Sequence, residues 1–422
     1  MNLVFNRWNN LDEPLPNLSE LNVKNQHLFN ISEYQFAQFP FFMNEGDLED
    51  KMGMEKTNIR KCKLDDITTN ETFYFIISLR YSLTFSIKKG DIFLPQEIEK
   101  YIEDYNLKII FLSELETHKY YDTFIELLIK KIKRKNWKEE NFYLIDNNSM
   151  HKKVQEKFKT NINFFKINYF LHLLGKESNN MNENNLEFDK KFIFLCHNRE
   201  AHHHRVILLT HLKYNKLLEN DIVNWSLVFN QVNENTTTDS VSISRFKDFL
   251  DINNKELVSE YIKMRKTQNL CYYETNSKVN NGRDGYNIIG FVTNESFKNA
   301  YINIVTETHY INSEYVHITE KSFKPFYYFQ MPIFLSAYHH VKCLKQEYGF
   351  HLFEELIDHS YDNEPDDSKR FYLLLNEIKR LSTMRQEINV FYKNNVDKFI
   401  HNYNIIKNNK FEKKFTDYIL NV

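Results

Sequence analysis

The run Tyr301-Ile302-Asn303-Ile304-Val305-Thr306-Glu307-Thr308-His309 is followed, after a short loop, by Thr319-Glu320-Lys321-Ser322-Phe323-Lys324-Pro325 and then by Pro332-Ile333-Phe334-Leu335. An apolar run, a polar tip, a helix start and a second apolar run, in that order, predict strand, loop, helix, strand. Such a unit sets a carboxylate, a hydroxyl and two lysines at the carboxyl end of a parallel sheet. Open α/β sheets bind ligands in the crevice at that edge, and a helix N-terminus there favours anions. The chemistry implied is recognition of a phosphorylated, sugar-bearing ligand.

The rest of the chain repeats this alternation. Apolar runs at Phe73 to Ile77, Lys108 to Leu112, Phe142 to Ile145 and Asn163 to Ile167 are separated by helical patterns at Gln96 to Tyr105 and Tyr120 to Arg134. Strands spaced by helices of this length indicate βαβ units. Lys176 to Asn185, rich in Asn, Ser and Glu, reads as a linker. A second series follows with Lys191 to Cys196, a helix at Ala201 to Tyr214, and strands at Trp225 to Phe229 and Ile288 to Val292. The expected fold class is α/β, two Rossmann-like doubly wound domains facing a central cleft. The expected division is an irregular N-terminal extension (1–70), a first domain (71–185), a second (186–375) and C-terminal helices (376–422) that pack back on the first domain.

Composition bounds the function. A chain of 422 residues is long for one domain, and 55 Lys+Arg against 57 Asp+Glu leave no global charge to attract nucleic acid or anionic membrane. Cys62, Cys196, Cys271 and Cys343 lie far apart without a CxxC pair, so neither a zinc framework nor a disulfide framework is indicated, and a reducing compartment fits. No apolar run approaches the ~20 residues of a membrane helix. A soluble, cytoplasmic protein is expected, and the Asn/Lys/Ile-rich, Gly-poor composition suits an AT-rich bacterial or viral genome. With eight glycines and neither GxGxxG nor GxxxxGK[ST], a dinucleotide fingerprint or P-loop is not supported. Side chains and helix ends would have to hold a nucleotide.

Phe194-Leu195-Cys196-His197-Asn198-Arg199-Glu200 ends a strand and opens the helix that carries Arg205, so Asn198, Arg199 and Arg205 are candidate phosphate ligands. His202, His203 and His204 are consecutive. On a helix they point about 100° apart and do not converge on one ion.

The run Lys191 to Leu209, the Thr306-Glu307-Thr308 and Ile318 to Pro325 elements, Pro332 to Leu335, Leu344 to Phe353 and Ile357 to Asp362 together resemble the C-terminal domain of a group of GT-B glycosyltransferases of phages and bacteria. The same block is similar, more distantly, to the α1,3-fucosyltransferase motif. Glu307 matches the first glutamate of that motif, Glu320 the second and Lys321 the lysine, while Thr308 stands where the motif has asparagine. The resemblance implies a GT-B-like fold and a nucleotide-diphosphate sugar as donor substrate, with Glu320 at the ribose and Lys321 at the diphosphate. It implies no further cofactor. Asn198, Arg199, Arg205, Thr308, Thr319, Glu320, Lys321 and Lys324 are the donor-binding candidates.

No Asp-x-Asp follows an apolar strand, so metal-independent transfer is expected, with cations stabilising the departing diphosphate. An inverting reaction also needs a base for the acceptor hydroxyl. Glu114, after the Lys108 to Leu112 strand, and Glu307 are the catalytic candidates, with Glu116 and Asp146-Asn147-Asn148 at comparable edges. Tyr361-Asp362 is expected to cap the helix after it. The acceptor class is a glycan or a hydroxylated base in viral DNA. Two other readings stay open: a nucleic-acid-binding module using Lys130-Lys131-Ile132-Lys133-Arg134-Lys135, and a non-catalytic GT-B-shaped binding or structural protein.

Overall fold

A computed structural model describes residues 2–4, 60–62, 72–78, 92, 94, 96–105, 107–112, 121–146, 151–166, 168, 171, 174, 186, 188–198, 202–218, 222–227, 247–251, 253–266, 270–272, 297–308, 310 and 316–409. The chain divides into two compact units, Met1–Tyr169 with Lys410–Val422, and Phe170–Asn409.

The first unit is built on a parallel sheet. Its described strands are β1 (Asn2–Val4), β2 (Arg60–Cys62), β3 (Phe73–Ser78), β4 (Leu107–Leu112), β5 (Phe142–Asp146) and β6 (Asn163–Lys166), in the order β2-β1-β3-β4-β5-β6. Leu107, Ile109, Ile110 and Phe111 are all buried, so β4 is covered on both faces, as a central parallel strand must be. Helices α1 (Gln96–Asp104), α2 (Tyr121–Lys135) and α3 (His151–Phe158) supply the cover. On α2 the residues Phe124, Ile125, Leu128, Ile129 and Ile132 form one buried stripe.

The basic run at the end of α2 is partly turned inward. Lys131 is buried, pairs with Glu99 of α1 at 2.6 Å and donates to the Ile92 carbonyl at 2.7 Å; Lys135 meets the other Glu99 oxygen at 2.9 Å. Two of its cations therefore tie α2 to α1. Burial opposes ionisation of Glu99, and the hydrogen bonds and charges of both lysines outweigh it, so its pKa lies below the usual value.

The N-terminal region departs from expectation, since β1 and β2 are strands of this sheet rather than parts of an irregular extension. Three-residue strands are too short to print a period in the sequence.

The second unit has the strand order β11-β10-β7-β8-β9, where β7 is Phe192–Asn198, β8 Val223–Leu227, β9 Leu270–Tyr272, β10 Ala300–Thr306 and β11 Met331–Leu335. All neighbours are parallel except β8 and β9. Pro332 is accommodated because β11 is the edge strand. From β7 the chain goes to β8 on one side, and later to β10 on the other, so the order reverses between β7 and β10. That is the topological switch point of a doubly wound sheet.

Helices α4 (His203–Tyr214), α5 (Lys255–Lys266), α6 (Glu320–Tyr327), α7 (His340–Tyr348), α8 (Asp367–Ser382), α9 (Arg385–Asn394) and α10 (Val396–Lys407) complete the described part of this unit. Of the residues expected to pack back on the first domain, those of α9 and α10 belong to the second unit. Tyr392 donates to the Phe329 carbonyl at 2.7 Å, Phe399 stacks on Phe353 at 4.5 Å, and Asn402 exchanges two 2.8 Å hydrogen bonds with the His351 backbone. Arg385 reaches the carbonyls of Lys190 and Lys191 at the start of β7.

Candidate functional site

The carboxyl ends of β7 and β10 meet at the switch point, and most of the described candidate residues lie there. Asn198 closes β7 and Thr306 closes β10; the Thr306 hydroxyl donates to Asn198 Oδ1 and links the two strand ends. Arg205, in the first turn of α4, is buried and donates to the Thr306 carbonyl at 3.2 Å. His204 donates its Nε2 proton to the Glu307 carbonyl at 2.8 Å, and desolvation is the first cause holding its pKa well below the ordinary histidine value. Asn198 and Arg205 therefore both hold the end of β10 at Thr306.

Glu307 follows β10 and is fully buried. Its backbone N–H donates to the Leu335 carbonyl at the end of β11. Its carboxylate accepts the Thr319 N–H at 3.2 Å, the Thr319 hydroxyl at 2.7 Å and the Ser322 hydroxyl at 2.5 Å. Thr319 is the N-cap of α6, with its Oγ1 accepting the Lys321 N–H at 3.3 Å. The sequence reading gave Glu307 a catalytic place, whereas the geometry makes it the anchor that holds the entry of α6 against the sheet. Its carboxylate is held by three donors and shielded from solvent.

The cationic face lies above this anchor. Lys321 Nζ donates to Thr308 Oγ1 at 3.2 Å and Thr319 Oγ1 at 3.0 Å, and sits 3.3 Å from Glu320 Oε1 and 4.0 Å from Glu307 Oε2. Its side chain is 27% exposed and that of Glu320 19%, so both are reachable from solvent yet held. Lys324 is half-buried on the next turn, and its charge adds to burial in lowering the His197 pKa to about 4. Thr308, Thr319, Glu320, Lys321 and Lys324 thus surround one helix entry whose dipole adds positive potential.

Other expectations resolve differently. His203 meets the Tyr261 hydroxyl at 3.1 Å while His204 turns to Glu307, so the neighbouring histidines diverge. Among the described residues no group of three or more His, Cys, Asp or Glu is placed to hold a metal ion. Asp362 is a cap, but of α7, which precedes it, and not of the helix that follows; its oxygens accept the Val341 and Lys342 N–H groups at 3.0 and 2.9 Å. The following helix, α8, is capped by Asp366. Glu114, Glu116, Asn147, Asn148 and Arg199 lie outside the described residues, as does the expected strand Ile288 to Val292.

Sequence reasoning passed over Ser322 and His340 as functional residues. Ser322 Oγ lies 2.8 Å from Nε2 of the buried His340, the first residue of α7. No local pattern signals a contact that spans eighteen positions and a whole strand.

The class these features define is a doubly wound α/β protein with a cation-bearing, carboxylate-anchored helix entry at its switch point. No family model matches the chain, and no curated protein matches it.

Proposed function

We propose that the protein is a nucleotide-sugar-dependent glycosyltransferase of GT-B type whose donor diphosphate binds at the entry of α6. The observation that carries this reading is the Thr319-capped helix start that presents Lys321 at the carboxyl edge of β10 and is held there by buried Glu307. A diphosphate placed there would meet the positive end of the helix and the ammonium of Lys321, with Lys324 one turn on. Glu320 is placed to trade its lysine contact for the vicinal hydroxyls of a ribose.

The transfer proposed is metal-independent and inverting. The bond from the sugar to the diphosphate breaks as an acceptor hydroxyl attacks from the opposite face. Lys321 stabilises the charge that grows on the departing diphosphate, and a base, for which Glu114 remains the candidate, takes the hydroxyl proton. The acceptor proposed is a glycan or a hydroxylated base in DNA.

Thermal shift against UDP-, GDP-, ADP-, CMP- and dTDP-linked sugars, with the native chain and with Lys321→Ala, tests the reading. A ligand that binds only the folded state raises Tm by linkage. A shift selective for one base in the native chain and absent in Lys321→Ala is expected. No shift with any donor at millimolar concentration overturns the reading, and one that survives in Lys321→Ala overturns the placement of the diphosphate.

A further inference from the structure

The hydrogen bonds around Glu307 fix where each proton sits. Lysine only donates and a carboxylate only accepts. Thr319 Oγ1 accepts from Lys321 Nζ, so its own proton goes to Glu307 Oε2. Ser322 gives its proton to Glu307 Oε1 and must therefore accept at its contact with His340 Nε2, which carries a hydrogen. The result is one directed chain from His340 through Ser322 to Glu307, met from the other side by Lys321 through Thr319.

His340 is fully buried, and its Nδ1 has no hydrogen-bond partner. Phe334 of β11 lies against the ring at 5.1 Å between centroids. Glu307, after β10, is the charged group whose field reaches the ring, and the Asp362 carboxylate caps the helix on which His340 sits. A bare Nδ1 is tolerable in such a place, whereas a proton on it would be a buried donor with nothing to receive it.

We propose that His340 is a positioning residue for anion recognition, its neutral Nε2–H form orienting Ser322 so that Glu307 and Thr319 hold Lys321 at the entry of α6. The inference rests on the anion reading of that entry given above. It adds a residue that never touches the ligand and yet sets the affinity of the one that does.

The test uses the full chain and inorganic pyrophosphate, titrated by calorimetry near neutral pH. His340→Phe keeps the ring volume and deletes the donor, and is expected to weaken pyrophosphate binding about tenfold. His340→Gln returns an N–H at similar reach and is expected to bind within about threefold of the native chain. The imidazole nitrogen spectrum of the native chain is expected to show His340 as the Nε2–H tautomer.

Lys321→Ala separates the two claims. Unchanged affinity in Lys321→Ala, or no pyrophosphate binding by the native chain, overturns the anion reading and this inference with it. Affinity lost in Lys321→Ala but unchanged in His340→Phe overturns the role of His340 alone, as does an Nδ1–H tautomer. Should His340→Phe fail to fold, Ser322→Ala cuts the same link and is judged by the same two outcomes.

Discussion

Glu307 and Glu320 stand thirteen residues apart at one helix entry and have opposite surroundings. Glu307 is buried under three donors, while Glu320 is part-exposed beside the Lys321 ammonium. Removing the first leaves a backbone N–H and two hydroxyls buried without an acceptor, so Glu307→Ala is expected to cost about 3 kcal/mol in a denaturant titration. Glu320→Ala breaks a partly exposed contact worth less than about 1 kcal/mol. Comparable losses in the two variants would sink the assignment of Glu307 as the anchor. The sequence singled out both carboxylates and both lysines, because a polar tip after a strand and a Thr-Glu-Lys helix start are local patterns. It could not separate the buried from the reachable, since that depends on α7 and β11 closing over one side.

At the scale of elements, α7 is defined by its two ends. Its N-terminus is covered by Asp362, which lies fourteen residues beyond its last turn, and Asp362→Ala is expected to lower stability by about 1 kcal/mol. Its C-terminus ends on Gly349 in the left-handed region, φ 77°. A Cβ built there would approach only Ile405 Cδ1, at 4.0 Å, so Gly349→Ala is penalised through backbone strain and not through a clash. The expected loss is about 1 kcal/mol, and Gly349→Asn should lose less because Asn tolerates this conformation. Thermal unfolding of the pair checks it: an alanine variant as stable as the asparagine one would contradict the strain argument. Gly349 is legible in sequence as a helix stop. The Asp362 cap is not, because a cap drawn from a later segment has no fixed spacing.

At the scale of the molecule, the second unit folds around neutral histidines. Burial lowers His197 and His340 to about 4, each from 6.5. Their folded pKa values lie below the unfolded ones, so the stability tied to their neutrality is complete above pH 6.5 and is lost as pH falls toward 4. Asp362 works the other way. Burial raises it from 3.8 to about 6, and its protonation on acidification returns part of the loss. Together these three groups are expected to contribute a net fall of about 3 kcal/mol between pH 6.5 and 4. Urea midpoints across that range would show it, and a flat profile would contradict it. His340→Gln should flatten the slope, since it removes one of the contributing groups.

The sequence by itself determined the alternation of strands and helices, the absence of glycine-based phosphate loops, and the strand, tip and helix entry that bears Glu307, Thr319 and Lys321. Those features are set by neighbours within a turn or two of each other. Tertiary structure alone decided that residues 2–4 and 60–62 join the first sheet, that α9 and α10 pack on the second unit, and that His340 reaches Ser322. Short strands, helix docking and hydrogen bonds between distant segments arise only when separate elements come together, and no spacing along the chain encodes them.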